Sequence, residues 1–410
     1  LKVSTLNHAR QHVRSWRRIQ NSRPPMSYRE LDEASVCEFA QEFLRSARSE
    51  IRAEVIEEGN INRVFRVHGR EESIIVKQGL PYFRMAGRSW VLSRHRSRTE
   101  AAAAQLHGGL APDIVTRLRY FDGAQSVMVF EDLPNDITWR RSLMRENLAP
   151  HVAPSIGRYC AAVAINTGPG LRDDIKRGSL AHSFPYTELC ALAESLIFVA
   201  PYVDSPSNRI EPQLGDIALS LRRDRGLLDS MSALRYKFRN EREALVHGDL
   251  HTGSVLVGAA KTTVFDLEFA YFGPMALDTG FVFAHLCLAR IAHSVQGHVE
   301  YCRSIDSSFS SFWKSFAYHV ELEWTGGKSE LDDFLARLMI DTARFAGAEM
   351  IRRIVGFAHA EDIDSLPDAF RSSAQRAALA VGRSLVTGPP ADNLEGAWKM
   401  AIELLDGSAA

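Results

Sequence analysis

The sequence predicts a mixed α/β (α+β) chain in two lobes: a strand-rich lobe built from antiparallel hairpins first, then a larger helical lobe. Three observations predict this. Short β-branched runs bounded by turns crowd the stretch from Val55 to Phe130. From Trp139 onward, apolar residues recur mainly at helical spacing. The 410 residues suffice for two domains or one bilobed domain, and 45% hydrophobic residues suffice for sizeable cores. The boundaries read from sequence are a basic extension over 1–25, a first lobe over 26–134 and a second over 135–410.

Taken in order, residues 1–25 carry Lys2, Arg10, Arg14, Arg17, Arg18 and Arg23 with no acid. They read as an extension upstream of the folded part, with a transit segment as the alternative. Val36, Phe39, Phe43 and Leu44 lie at helical spacing and predict an amphipathic helix over 31–46. The run from Val55 to Val67 reads strand, turn, strand, with Gly59 at the bend, and Ser73–Gln78 is a third strand carrying Lys77. The alanines of 94–107 predict a helix that includes Glu100. Ser126–Phe130 is a further strand, running into Glu131, Asp132, Leu133 and Pro134.

Helical spacing returns over 139–148, 153–166 and 187–200, the last with Thr187 as a cap. Residues 204–216 hold two prolines and a glycine and read as a loop, and 217–242 as a charged helix. The run 281–292 is almost wholly apolar and reads as a buried helix.

Composition excludes some functions. A formal net charge of −1 gives no general attraction to nucleic acid or to a membrane surface. The five cysteines are scattered without CxxC spacing, which argues for reduced thiols in a cytoplasmic setting and against a zinc site. No apolar run approaches a membrane span in length.

The stretch 245–280 carries the chemistry. Leu245 and Val246 lead into His247-Gly248-Asp249; Val255–Val257 and Thr263–Phe265 read as a hairpin; the second strand ends at Asp266-Leu267-Glu268. Such separated acidic stations suit phosphoryl transfer. One carboxylate orients the attacking hydroxyl, a role that fits Asp249. Others hold Mg²⁺ against nucleotide phosphates, which fits Asp266 and Glu268. The plainer reading makes them a turn and a solvated strand end.

HGDLHTGSV followed by DLEFAYFGPMALDTG resembles the methylthioribose kinases, within the aminoglycoside phosphotransferase branch of the protein-kinase-like fold. Generic members of that branch carry Asn where this chain, like the methylthioribose kinases, has Ser254. EGNINRVF, LPYFRMAGRSWVL, TELCALAESLIF and GAEMIRRIVGFAHAED resemble four further blocks of the same family. The chain departs from it at Glu57, Arg88, Val91, Ile210, Leu267 and Ala276-Leu277.

The resemblance implies a bilobed kinase fold, and ATP and Mg²⁺ as cofactors. It implies transfer of a phosphoryl group to the anomeric hydroxyl of 5-methylthioribose, and, weakly, a homodimer. Carried over residue by residue, it assigns Asn60 to the phosphate-covering hairpin and Lys77 to the α/β phosphates, with Glu100 as its partner. It assigns the adenine edge to the backbone of Glu131, Asp132 and Leu133. Asp266, Leu267 and Glu268 form the metal turn. Arg352 and Arg353 face the sugar and the moving phosphoryl group, although an Arg pair on a helix by itself reads as a solvated face. His247 is a brace for the loop, and Asp278 is either a second brace or a helix cap. A kinase of another small alcohol, such as a 5-deoxypentose or an aminoglycoside, is the alternative within the class. A silent nucleotide-binding module is the alternative outside it.

Overall fold

In the computed structural model, residues 28–57, 61–84, 88–168, 174–388, 396, 398, 399 and 401–403 are described. Alternation builds the first unit, which takes in residues up to Asp136 and the segment Thr263–Glu268. Strands β1 (Arg52–Ile56), β2 (Arg63–His68), β3 (Ser73–Gln78), β4 (Leu118–Asp122) and β5 (Val127–Glu131) form an antiparallel sheet in the order β1-β2-β3-β5-β4.

Successive side chains of a strand point to opposite faces. On β3, Ile74 and Val76 are fully buried and pack with Phe65, Val67, Val127 and Val129 against helix α1 (Glu33–Ala40). Burial of each such side chain stabilises the lobe by roughly 1.5–3 kcal/mol. Lys77 is out of phase with that pair. Helix α2 (Arg96–Leu110) brings the buried Glu100 to it. Helix α1 starts with a capping box, Asp32 accepting from the Ser35 amide at 2.8 Å and Ser35 from the Asp32 amide at 2.9 Å.

The structure shortens the first expected helix. It stops at Ala40, yet the chain keeps turning, and the Leu44 amide still donates to the Ala40 carbonyl at 3.1 Å. Phe43 and Leu44 therefore stay on the core side beyond the helix end.

The second unit is mainly helical and comprises Ile137–Thr262 and Phe269–Ala410. Strand β6 (Ile137–Thr138) leads into α3 (Trp139–Met144) and α4 (Val152–Thr167). Then come α5 (Asp174–Ser183), α6 (Glu188–Phe198), α7 (Gly215–Arg223) and α8 (Arg225–Asn240). Thr187 caps α6, accepting from the Cys190 amide. The single charged helix expected over 217–242 is two, because Asp224 turns the chain and caps α8 through the Leu227 amide.

Strand β7 (Ala244–Val246) enters the acidic loop; β8 (Val255–Val257) pairs antiparallel with β6, and the Gly258 amide closes a turn on the Lys261 carbonyl at 2.9 Å. Strand β9 (Thr262–Val264) carries the chain into the first unit, and it returns at β10 (Tyr271–Gly273), which pairs antiparallel with β7.

Helices α9 (Ala276–Ser294), α10 (Val299–Glu323), α11 (Lys328–Val355), α12 (Glu361–Asp364) and α13 (Asp368–Thr387) complete the unit. Every residue of α9 from Ala276 to His293 is buried, as its apolar run predicts. No helix among the described residues is long and apolar enough to cross a membrane.

Candidate active site

In the first unit Lys77 is the centre of an acidic cluster. Its ammonium donates to Glu100 Oε1 at 2.7 Å and to Asp266, with Glu268 Oε2 at 3.7 Å. Strand β3 fixes the lysine between β2 and β5, where it stands opposite Val64 and Met128. Asp266 is held at φ +69°, in the left-handed region that asparagine and aspartate tolerate best. A sharp turn at this point carries the chain from β9 into the single turn Leu267–Phe269, where Leu267 is buried.

Sequence reasoning missed two members of this cluster. Asn62 donates to Glu268 and accepts from Arg96 Nη2 at 2.9 Å, so it ties the acid to α2. Asn62 is the second asparagine of the EGNINRVF block, which by itself gives it no role, and Arg96 stands in no pattern that separates it from an ordinary helix charge.

Three carboxylates around one lysine set the electrostatics. Burial would lower the Lys77 pKa, but Asp266, Glu100 and Glu268 outweigh it and raise it. Burial pushes Glu268 up to about 8, with Lys77 opposing and Asp266 adding. Glu100 is raised by burial too, against the pull of Lys77.

At the end of β5, the Glu131 amide donates to the Arg117 carbonyl at 3.1 Å. The Leu133 carbonyl accepts from Asp136 at 3.1 Å. The Asp132 carboxylate is tied to Arg66 Nε at 3.1 Å and to the Ser73 hydroxyl, so its side chain works on the sheet. Gly59 and Asn60 lie outside the described residues.

In the second unit Asp249 sits on the loop after β7. Gly248 there has φ +84°, and a Cβ on it would lie 2.3 Å from the Phe269 carbonyl oxygen, so only glycine fits. Asp278, in the first turn of α9, accepts from the His247 amide at 2.7 Å and the Gly248 amide at 3.0 Å. It braces the loop, and is not merely a cap for its own helix. His247 Nδ1 accepts from the Asp249 amide at 3.3 Å. The Ser254 hydroxyl donates to the Asp249 carbonyl at 3.0 Å.

Arg352 and Arg353 approach Asp249 Oδ1 at 3.9 and 3.8 Å. Both are buried, and both are held by Glu349, one turn earlier on α11 and fully buried. Arg352 donates to Glu349 through Nε at 3.0 Å and Nη2 at 2.9 Å, and Arg353 Nε donates at 2.6 Å. The spacing of Glu349 from the arginines is the helical one that places side chains on one face, a signal present in the sequence.

Behind them, His285 Nε2 faces Glu349 at 3.4 Å, and Arg140 Nη2 lies 3.4 Å from both His285 Nδ1 and His251 Nδ1. Arg140 also pairs with the buried Asp362 at 3.3 Å. Burial takes His285 down to about 3 and His251 well below its ordinary value, so both rings are neutral. The hydrogen-bond network then assigns each proton to Nε2. Burial raises Asp249 against the pull of Arg353 and Arg352. Burial would raise Glu349 also, but Arg352 and Arg353 reverse it and hold it well below the carboxylate range.

A family model described as a phosphotransferase enzyme family matches residues 52–301. The chain is 31% identical over 390 residues to a methylthioribose kinase of Yersinia pseudotuberculosis, covering 90% of this chain and 95% of that protein. It is 35% identical over 341 residues to a methylthioribose kinase of a Geobacillus species, covering 81% and 84%. The chain belongs to the methylthioribose kinase family, within the phosphotransferase enzymes. A choline kinase from Cryptosporidium parvum shares the fold at a TM-score of 0.51 and 11% identity, covering 86% of this chain and 94% of that one. The bilobed kinase fold and the phosphotransferase class read from sequence therefore stand.

Family membership implies ATP and a divalent cation. The donor set of the first unit fits such an ion: hard carboxylate oxygens in surplus over the local cations, one of them with an affinity for protons far above normal.

Proposed function

We propose that this chain transfers the γ-phosphoryl group of ATP to the anomeric hydroxyl of 5-methylthioribose, giving methylthioribose 1-phosphate and ADP. The observation that carries the reading is the clamp in the second unit, where Glu349 fixes Arg352 and Arg353 beside Asp249. Phosphoryl transfer asks little covalent chemistry of the protein and depends on positioning and on offsetting charge. Rigid guanidiniums next to a carboxylate supply both needs.

Asp249 accepts the proton of the sugar hydroxyl as the new O–P bond forms and the bond from γ-phosphorus to the ADP oxygen breaks. Burial raises its pKa, which makes it a stronger proton acceptor than a solvated carboxylate. Arg352 and Arg353 offset charge on the moving group. Lys77, kept in place by Glu100, binds the α/β phosphates, and the family resemblance assigns Asn60 to the same phosphates. The backbone of Glu131, Asp132 and Leu133 takes the adenine edge. Mg²⁺, held by Asp266 and Glu268 on the turn that Leu267 anchors, would neutralise charge on the phosphates.

Charge balance favours an uncharged acceptor. Arg140, Arg352 and Arg353 are matched by Asp249, Glu349 and Asp362, while His251 and His285 are neutral. A cationic acceptor such as an aminoglycoside is recognised by surplus acid, and this cluster has none. The reading includes a homodimer and a cytoplasmic location. The five cysteines are buried and form no disulfide, as suits a reducing compartment.

The test is a panel of acceptors compared by kcat/KM in an ATP-consumption assay. 5-Methylthioribose is expected to exceed 5-deoxyribose by about 10–200-fold, the range available from one apolar group in a pocket. It should exceed ribose and an aminoglycoside by more. An aminoglycoside turned over as well as methylthioribose would overturn the assignment.

A further inference from the structure

Away from Asp249, the turn after α3 and the corner between α9 and α10 bring three ligating atoms to one point. His293 Nδ1 lies 3.1 Å from His298 Nδ1, which lies 3.0 Å from Glu146 Oε1, and the three atoms fall within 4.8 Å of one another. Each is held in place. His293 is buried on the last turn of α9, with the Tyr301 ring edge-on at 4.6 Å. The His298 amide donates to the His293 carbonyl at 3.0 Å, across a turn made by Gly297 at φ +79°. Glu146 is held at φ +54°, and its amide donates to the Leu143 carbonyl at 3.1 Å.

That same carbonyl decides the proton count. His293 Nε2 donates to Leu143 O at 2.9 Å, which leaves Nδ1 of the neutral ring as a bare lone pair. The carboxylate brings only lone pairs. Of the three converging atoms, His298 Nδ1 is the one left to supply a proton, and one proton points well at His293 or at Glu146, not at both.

We propose that Glu146, His293 and His298 form a binding site for a zinc-class divalent cation, distinct from the magnesium of the reaction. Two imidazoles and one carboxylate are donors for Zn²⁺, Co²⁺ or Ni²⁺, whereas Mg²⁺ takes oxygen. The nitrogen separation is close to the roughly 3.3 Å that two ligands at tetrahedral Zn–N distances require. The hydrogen bond from His293 to a backbone carbonyl is the outer-shell support that ligating histidines have. Solvent reaches the site from the exposed Glu146, leaving a position for water. A bound ion would clamp the end of α3, which carries Arg140, to α9, which carries Asp278 and His285.

The test uses the full chain, stripped with EDTA and titrated with ZnCl₂ by calorimetry and with CoCl₂ by visible absorption. One tight equivalent is expected, with a cobalt d–d band, a rise in Tm, and no competition from Mg²⁺ at equal concentration. His298→Ala and Glu146→Gln should each weaken binding by no less than the about 10–100-fold that losing an outer-shell partner costs. The His298 side chain is 36% exposed, so its removal leaves the fold standing; equal melting of variant and parent in EDTA checks this, and Glu146→Gln carries the test if they differ. Binding that persists unchanged in both variants, or no binding by the parent, overturns the site.

Discussion

Lys77 in the first unit and Arg353 in the second are both buried cations, but their surroundings are built on opposite plans. In the first unit one lysine has three carboxylates, Glu100, Asp266 and Glu268. In the second unit one carboxylate, Glu349, serves two arginines. The first cluster is redundant for its cation and carries surplus acid, the condition for taking up a divalent ion. The second is balanced once Asp249 is counted, and its close hydrogen bonds hang on a single group. On the proposed function the first unit would hold nucleotide and metal, and spare ligands suit that task. A half that must hold guanidiniums still beside a base benefits from fixed pairing.

The sharpest way to break this contrast is to remove Asp249, the proposed base. Asp249→Asn is expected to lower kcat by about 10²–10⁴-fold, the range of positioned general-base catalysis. ATP binding, measured by calorimetry, should stay unchanged, because no member of the Lys77 cluster is touched. Equal losses in kcat and in ATP affinity would mean that the two halves do not divide the work in this way.

Glu349→Gln tests the single anchor. It strands two buried arginines, and removing one partner of a buried ion pair typically costs about 3–5 kcal/mol. The expected result is a steep fall in Tm, read by circular dichroism, along with loss of kcat. A variant as stable as the parent would show that Asp249 alone suffices to hold the pair.

Much of this contrast was legible in the sequence, though not all of it. HGD and the acidic turn announced themselves because each packs several special residues into a short span, and Gly248 is needed where a Cβ would collide. From sequence Glu349 has no assigned role, although its helical spacing from the two arginines is a signal that could have found it. Asn62, Arg96, Arg140 and Asp362 were not legible, since they meet their partners only through tertiary packing and belong to no periodic pattern.

The fold shows the same division. The β-branched runs gave β3 and β5 to within a residue or so. The first helix was read too long because Phe43 and Leu44 remain on the core face after the hydrogen bonding of α1 ends. The break at Asp224 was hidden by a residue equally at home on a helix surface and at its cap.

Redundancy in the first unit predicts a milder outcome there. In Glu100→Gln, Lys77 keeps Asp266 and Glu268. The stability loss should not exceed the about 1.5–3 kcal/mol of one charge-assisted hydrogen bond. The KM for ATP should rise by less than about tenfold, equivalent to about 1.4 kcal/mol. Destabilisation by Glu100→Gln as large as that by Glu349→Gln would erase the distinction between the clusters.

The smallest expected effect separates them by pH. Glu268 has a folded pKa of about 8 against an ordinary 4.5, so folding favours its protonated form. Its contribution to stability is then fully present below about 4.5 and is lost as pH rises through about 8. In EDTA, the Tm of the parent relative to Glu268→Gln should fall steadily between those limits, because glutamine stays neutral and can still accept from Asn62. Adding Mg²⁺ and ATP should flatten or reverse that slope, since a bound cation favours the ionised carboxylate. No such slope is expected for Glu349, whose depressed pKa keeps it charged throughout this range. Parallel melting curves for the parent and Glu268→Gln from pH 5 to pH 9 would remove the surplus acid from the first cluster, and with it the reason for a metal to bind there.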